Sequence, residues 1–212
     1  MTPKQQYYEH AANTIIKNLK RRRMDGYYCP TAAEAAELAM SFIKPGMTVS
    51  NGGSVTLQEC GITDTLRDRE DITYLDRTNG TTPEEVTGIL RQALLSDCYF
   101  MSTNAITMDG ELVNVDGSGN RVAALIFGPR EVIIVAGMNK VTADIPSARR
   151  RVRGIASSPN CVRLGKNTPC AATGQCGDCL GDDCICSQTV ITRRSGIPGR
   201  IKVILAGEEL GY

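Results

Sequence analysis

Met47-Thr48-Val49-Ser50, then Asn51-Gly52-Gly53-Ser54, then Val55-Thr56-Leu57-Gln58-Glu59-Cys60 read as a short buried strand, a tight glycine loop and the opening of a helix. Chains that repeat such units lay their strands side by side in a parallel sheet with helices on both faces. Working outward, the alternation recurs. Thr31 with Glu34 three residues later forms a capping box for a helix running to Ile43, where Lys44-Pro45-Gly46 ends it. Ile72 to Leu75 reads as a strand, and Thr82-Pro83-Glu84-Glu85 opens a helix to Leu95 with proline at its first position. Cys98 to Ser102 supplies another strand. Ile106 to Asn114 is a strand broken by an Asp109-Gly110 turn, Asn120 caps a short helix through Phe127, and Glu131 to Ala136 is apolar enough for a strand buried on both faces. Ile145 to Ala156 reads as a helix ending near Ser157-Ser158-Pro159. Ahead of these, residues 2–23 form an amphipathic helix capped by Thr2, with Tyr7, Ala11, Ile15, Ile16 and Leu19 at helical spacing. Its apolar face is the ground for expecting a homo-oligomer. The fold class expected is α/β, with a Rossmann-like, mostly parallel sheet.

With 212 residues the chain can bury one sizeable core, and its net charge of +1 argues against a nucleic-acid partner. No apolar window is long enough for a membrane span, and the basic run Lys17 to Arg23 leads into no signal-type apolar stretch, so a cytoplasmic location is expected. Thiols stay reduced there, which makes the nine cysteines ligands, nucleophiles or core residues rather than disulfides. Residues 1–159 are read as the α/β domain, 160–187 as a cysteine-rich metal-binding segment, and 188–212 as a C-terminal segment whose Ile201 to Leu205 returns to the sheet.

Residues 160–187 are rich in Gly, Cys, Asp and Asn and carry no hydrophobic period. A loop of that length needs something other than a core to order it. Cys170, Cys176, Cys179, Cys184 and Cys186 have the spacing C-x5-C-x2-C-x4-C-x-C. Thiolates bind soft metals, and short spacings lower the entropy cost of gathering several around one centre. A single C-x-x-C flanked by more distant cysteines suits an iron–sulfur cluster, expected in the 4Fe–4S form, better than zinc, whose ribbons present two paired knuckles. Zinc is the alternative. Cys184 and Cys186 compete for the fourth place, and Arg193, Arg194 and Arg200 are candidates to offset the negative charge. Cys29, Cys60, Cys98 and Cys161 are scattered, Cys98 reading as core.

The loop Gly52, Gly53 and Ser54 can offer amides to an anion, or serve only its turn. A denser polar set, Asn104, Thr107, Asp109, Gly110, Asn114, Gly119 and Asn120, falls at the ends of expected strands, where open α/β sheets bind ligands. A small anionic metabolite is the expected ligand. His10 is the only histidine, so proton transfer would fall to Glu59, Asp109 or Lys140. The tract Arg149-Arg150-Arg151-Val152-Arg153 reads as a solvated helix face.

The pairing of Asn51-Gly52-Gly53-Ser54-Val55-Thr56-Leu57 with Thr103 to Asn114, Gly119-Asn120-Arg121 and Val135-Ala136-Gly137-Met138-Asn139-Lys140 resembles the LUD (lactate-utilisation) domain family. The ending, Thr168-Pro169-Cys170 through Cys179 to Cys186 and on to Leu210-Gly211-Tyr212, is similar to the cysteine-bearing tail of a stand-alone branch of that family. The resemblance implies a NagB/RpiA/CoA-transferase-like fold and a link to oxidation of lactate alongside other redox proteins. It also implies Cys186 rather than Cys184 as the fourth ligand, since relatives carry arginine at the latter. Thr107 to Asn114 looks similar to the strand-turn-strand of sugar-phosphate isomerases, but Asn104 stands where those tend to place aspartate. Three functions follow: an iron–sulfur redox component, an anion- or phosphate-binding enzyme with structural zinc, or a cluster-dependent sensor or scaffold.

Overall fold

In the computed structural model, which describes residues 1–212, six parallel strands form the central sheet. Helix α1 (Pro3–Arg21) precedes β1 (Asp25–Cys29), α2 (Ala32–Ser41), β2 (Thr48–Asn51), α3 (Val55–Glu59), α4 (Ile62–Asp68) and β3 (Thr73–Leu75). Next come α5 (Pro83–Gln92), β4 (Cys98–Met101), β5 (Ala105–Thr107), β6 (Leu112–Asp116), α6 (Asn120–Ile126), β7 (Glu131–Gly137) and β8 (Val141–Thr142). The chain ends with α7 (Ile145–Arg151), α8 (Ser157–Arg163), α9 (Pro169–Thr173), β9 (Gln188–Thr192) and β10 (Ile201–Ala206). The central sheet has the order β1-β10-β7-β4-β2-β3, and a second sheet has the order β8-β5-β6-β9. This is the α/β class expected from the alternation of strands and helices.

The middle strands β4, β7 and β10 are covered on both faces, which explains why they are almost continuously apolar. Val132, Ile134 and Ala136 of β7 join Val203 and Leu205 of β10 against α1, while Ile133, Val135, Ile204 and Ala206 pack on the opposite face with α2, α3 and α4. The alternation follows from the two-residue period of a strand. The apolar stripe of α1, Ala11, Ala12, Ile15 and Leu19, is buried in the first of these layers. That part of the expected apolar face packs within the chain, while Tyr7 of the same face stays exposed.

Local signals set several boundaries. Thr2 with Gln5 and Thr82 with Glu85 form complete capping boxes. Thr31 caps α2 by accepting from Glu34 N, but its hydroxyl donates to the Glu34 carboxylate, so only half of the expected box forms. Asn120 is the first residue of α6 rather than its cap. Gly119, in the left-handed region, holds the cap position. The helix expected to end near Pro159 continues: α7 passes into a π turn at Val152–Ala156 and then into α8, with Pro159 inside. Such a turn widens the helix just ahead of the proline, whose ring clashes with a regular preceding turn. Ala148 and Val152 of this long helix pack on Ala105 and Val113 of the second sheet. Residues 188–212 supply β9 to that sheet and place β10 between β1 and β7. No helix is long and apolar enough to cross a membrane.

Candidate functional site

The strands β2, β3, β4 and β7 run parallel, so the residues that follow their carboxyl ends gather at one edge of the sheet. Ser54 and Thr56 follow β2, Arg77 follows β3, Ser102 follows β4 and Lys140 follows β7. They line a cavity of about 300 Å³, which the second sheet closes with Asp116, Gly117 and Ser118. Crevices at this edge are where open α/β sheets hold ligands.

Its charge is one-sided. Arg77, Arg121, Lys140, Arg163 and Lys166 stand in the wall with a single carboxylate, Asp116. Arg121 is fully engaged: its guanidinium donates to Ser102 O (3.1 Å), Asn114 Oδ1 (2.6 Å), Asn104 Oδ1 (3.0 Å) and Val115 O (2.7 Å), and it pairs with Asp116 (3.2 Å). It ties the end of β4 to β6 and α6. Lys166 pairs with Asp183, and Arg163 donates to Asn160. Arg77 instead lies against Gly53, where an added Cβ would collide with its guanidinium. Glycine at 53 thus lets this cation reach the cavity.

Lys140 is buried, 4% exposed, and its Nζ donates to Thr56 Oγ1 (2.8 Å) and Ser102 Oγ (3.0 Å). No carboxylate is within ion-pair distance. Desolvation, with Arg151 and Arg121 adding like charge, pulls its pKa down to about 7, against a weaker opposing pull from Glu59 and Cys60. The last residues form a strap beside it: Asn139 holds Leu210, Glu59 accepts from Gly211 N, and Tyr212 completes the cavity wall.

The expected ligand residues divide. Gly53, Ser54, Asn104 and Asn120 line the cavity, as does Lys140. Gly52 and Gly119 lie beside it, and Gly52 N is occupied by Phe100 O. Thr107, Asp109, Gly110 and Asn114 do not line it. Thr107 accepts from Glu111 N within the β5–β6 turn, Asp109 is exposed with its carbonyl held by Arg22, and Gly110 fits φ +79° against the backbone of α1, where a Cβ would come within 3.1 Å of Leu19 N. Asn104 and Asn114 serve mainly as acceptors for Arg121. Glu59 acts through the strap. His10 is exposed on α1.

A second cavity of about 350 Å³ lies on the other side of the long α7–α8 helix, and six cysteines line it: Cys161, Cys170, Cys176, Cys179, Cys184 and Cys186. Cys161 was not expected there, because the helix carrying it was read as ending before residue 160. Cys170 Sγ lies 3.6 Å from Cys161 Sγ and 3.3 Å from Thr168 Oγ1. Burial pushes the Cys161 thiol up to about 11. At Cys170 burial acts the same way but is outweighed by hydrogen bonding with Thr168, Cys161 and Ser158, which holds its pKa below the ordinary thiol value. No three of the chain's His, Cys, Asp and Glu side chains converge closely enough to share one metal ion.

The cations at this cavity differ from those expected. Arg200 is buried at the start of β10 and donates to Ala124, Leu125 and Pro129 carbonyls, capping α6. The Arg193 carbonyl is tied to Arg22. The arginine tract of α7 serves instead: Arg149 lines the cavity, and Arg153 donates to Cys176 Sγ (3.4 Å) and Asp178 (2.8 Å). Arg151 is buried, donating to the Asn139 and Asn104 carbonyls. The tract is therefore not simply a solvated face. Ser157, Val115 and Ile185 line both cavities, and Ser157 Oγ is 3.5 Å from Cys186 Sγ. Cys60 belongs to neither: burial pushes its thiol up to about 11, which disfavours a nucleophilic thiolate.

A family model described as the LUD domain matches residues 12–206. No curated protein matches the chain. Among solved structures, a DUF162 family protein from Deinococcus radiodurans matches with a TM-score of 0.51 at 12% identity, covering 95% of this chain and 98% of that one. At that identity the likeness is one of fold. Ribose 5-phosphate isomerase A from Methanocaldococcus jannaschii has a TM-score of 0.36 at 16% identity over 63% of this chain and 66% of that one. For eIF2B delta from Chaetomium thermophilum the values are 0.31 and 22% over 50% and 47%. Because the family match runs from the first helix to the last strand of the central sheet, the chain belongs to the LUD domain family.

Proposed function

We propose that the protein is an iron–sulfur redox component that handles a small anionic metabolite, lactate or a related hydroxy acid. The observation that carries this is the lining of one cavity by six cysteines, in contact through Ser157, Val115 and Ile185 with a second cavity lined by four cations and Lys140. Six cysteines lining one cavity of about 350 Å³, among them a single C-x-x-C flanked by more distant cysteines, offer the soft ligands a polynuclear cluster takes. Cys170, Cys176, Cys179 and Cys186 would hold it, with Cys184 and Cys161 as the two further sulfurs in the wall. When bound, a cluster supplies one-electron transfer.

The chain's own residues supply the rest. Arg153, on Cys176, sets a positive charge beside the thiolates, and Ser157 orients Cys186 at the partition. Arg77 binds the carboxylate of the metabolite, Arg121 fixes the shape of the cavity, and Lys140 offers an amine of low basicity at its wall. The same cavity supports a second reading, an anion-binding enzyme with structural zinc, because Lys140 suits proton transfer without any cluster.

Anaerobic preparation with iron, sulfide and zinc analysis and a visible spectrum tests the proposal. About four iron and four sulfide per chain, with a redox-active visible band, is the expected result. Stoichiometric zinc with no visible absorption replaces it with the second reading. Other redox proteins are the partners the first reading requires, and their reduction or oxidation of the loaded chain is the matching assay.

A further inference from the structure

We infer that Lys140 is an imine-forming lysine and that the cationic cavity takes a small carbonyl compound bearing an anionic group. The inference rests on that cavity being the anion site proposed above, and it is independent of the cluster.

Three geometric observations support it. First, Nζ is buried at the wall of a ligand-sized cavity with no carboxylate to pair with, so an ammonium there would be an unpaired buried charge. A merely structural role would be a destabilising use of lysine. Second, both contacts of Nζ are hydroxyl oxygens, Thr56 Oγ1 and Ser102 Oγ, which occupy two positions around the nitrogen and leave a third for a lone pair. Third, Arg77 brings a guanidinium to the same cavity over Gly53, which gives an anionic substituent its counter-charge. The depressed basicity of Lys140 agrees with a neutral amine at neutral pH.

The chemistry is redox-neutral. The Nζ lone pair forms a bond to the carbonyl carbon while the C=O π pair moves to oxygen. A proton passes from nitrogen to that oxygen, for which the two hydroxyls already bonded to Nζ are the available relay. The carbinolamine then gains a proton on its hydroxyl, expels water and gives up the remaining N–H proton, leaving a C=N bond. The sum is amine plus carbonyl giving imine plus water.

The test is reductive trapping on the full chain, both metal-free and loaded. The protein is incubated with cyanoborohydride and one of three probes: a 2-oxo acid, a phosphorylated ketose or an uncharged ketone of similar size. Intact mass and peptide mapping follow, and calorimetry measures binding of each anion without reductant. One reduced adduct per chain, mapped to Lys140 and formed at least about tenfold faster with one of the anions than with the ketone, is expected. Which anion reacts distinguishes a carboxylate from a phosphate ester. Lys140→Arg and Lys140→Met should both lose the adduct, and Arg77→Gln should slow it while leaving the fold intact. Adducts spread over exposed lysines, or an anion bound without trapping, overturn the imine, and in the latter case leave the anion site standing. If neither anion binds, the imine and the anion site fall together, whatever the metal content.

Discussion

Replacing Lys140 with methionine should change how stability depends on pH in a calculable way. An ordinary lysine titrates at 10.5, and folding pulls this one down to about 7. At ~1.4 kcal/mol per pH unit, burial of the ammonium therefore costs the folded state about 5 kcal/mol. Between those two values the unfolded chain holds one more proton than the folded chain, so stability rises with pH there. Below about pH 7 both states are protonated and the full cost persists; above 10.5 it is gone. Desolvation by burial is the largest cause of the shift; among the charged and titratable neighbours, Arg151 and Arg121 disfavour the ammonium and Glu59 and Cys60 favour it. Cys60 remains a neutral thiol through most of the window. Urea unfolding of the metal-free, reduced wild type and of Lys140→Met, from pH about 6 to about 10, isolates the lysine because the other titrating groups cancel in the difference. Wild type should gain on the variant by ~1.4 kcal/mol per pH unit above pH 7. A difference flat to within about 0.5 kcal/mol would refute a neutral buried amine.

Arg121→Met strands the Asp116 carboxylate and the acceptors of Ser102, Asn104, Asn114 and Val115, and should cost about 3–5 kcal/mol, read as a lower urea midpoint; a loss under about 1 kcal/mol would show that the network is dispensable. Gly110→Ala forces a side chain into φ +79° and against α1, with an expected loss of about 1–3 kcal/mol. Calorimetric anion affinity should be unchanged in that variant, because Gly110 is not in the cavity wall, and weaker binding would contradict its structural role. Serine at Cys186 should lower iron and sulfide content, whereas Cys184→Ser and Cys98→Ala should retain both; the reverse pattern at 184 and 186 would reassign the fourth ligand.

Elements fixed by short-range chemistry were legible in the chain. The capping threonines of α1 and α5, the apolar run of β7 and the glycine loop after β2 each act within a few residues, so their patterns survive as local signals. Elements without such patterns were not. Strand β1 carries two half-buried tyrosines and no clean alternation, and it pairs only with β10, more than a hundred residues away. Strand β9 is largely exposed and is defined by its partner β6. Arg77 belongs to no motif. It reaches the cavity because β3 lies beside β2 and because residue 53 has no side chain.

By itself the sequence determined the α/β class and the cysteine-rich segment, because strand period, helix caps and thiolate chemistry are properties of neighbouring residues. Only the tertiary structure decided that Cys161 faces the same cavity as Cys170, that Arg153 rather than Arg200 attends the cysteines, and that Lys140 is buried with no carboxylate partner. Each of those outcomes depends on which distant segments exclude solvent from a side chain, and burial is a property of the packed chain as a whole.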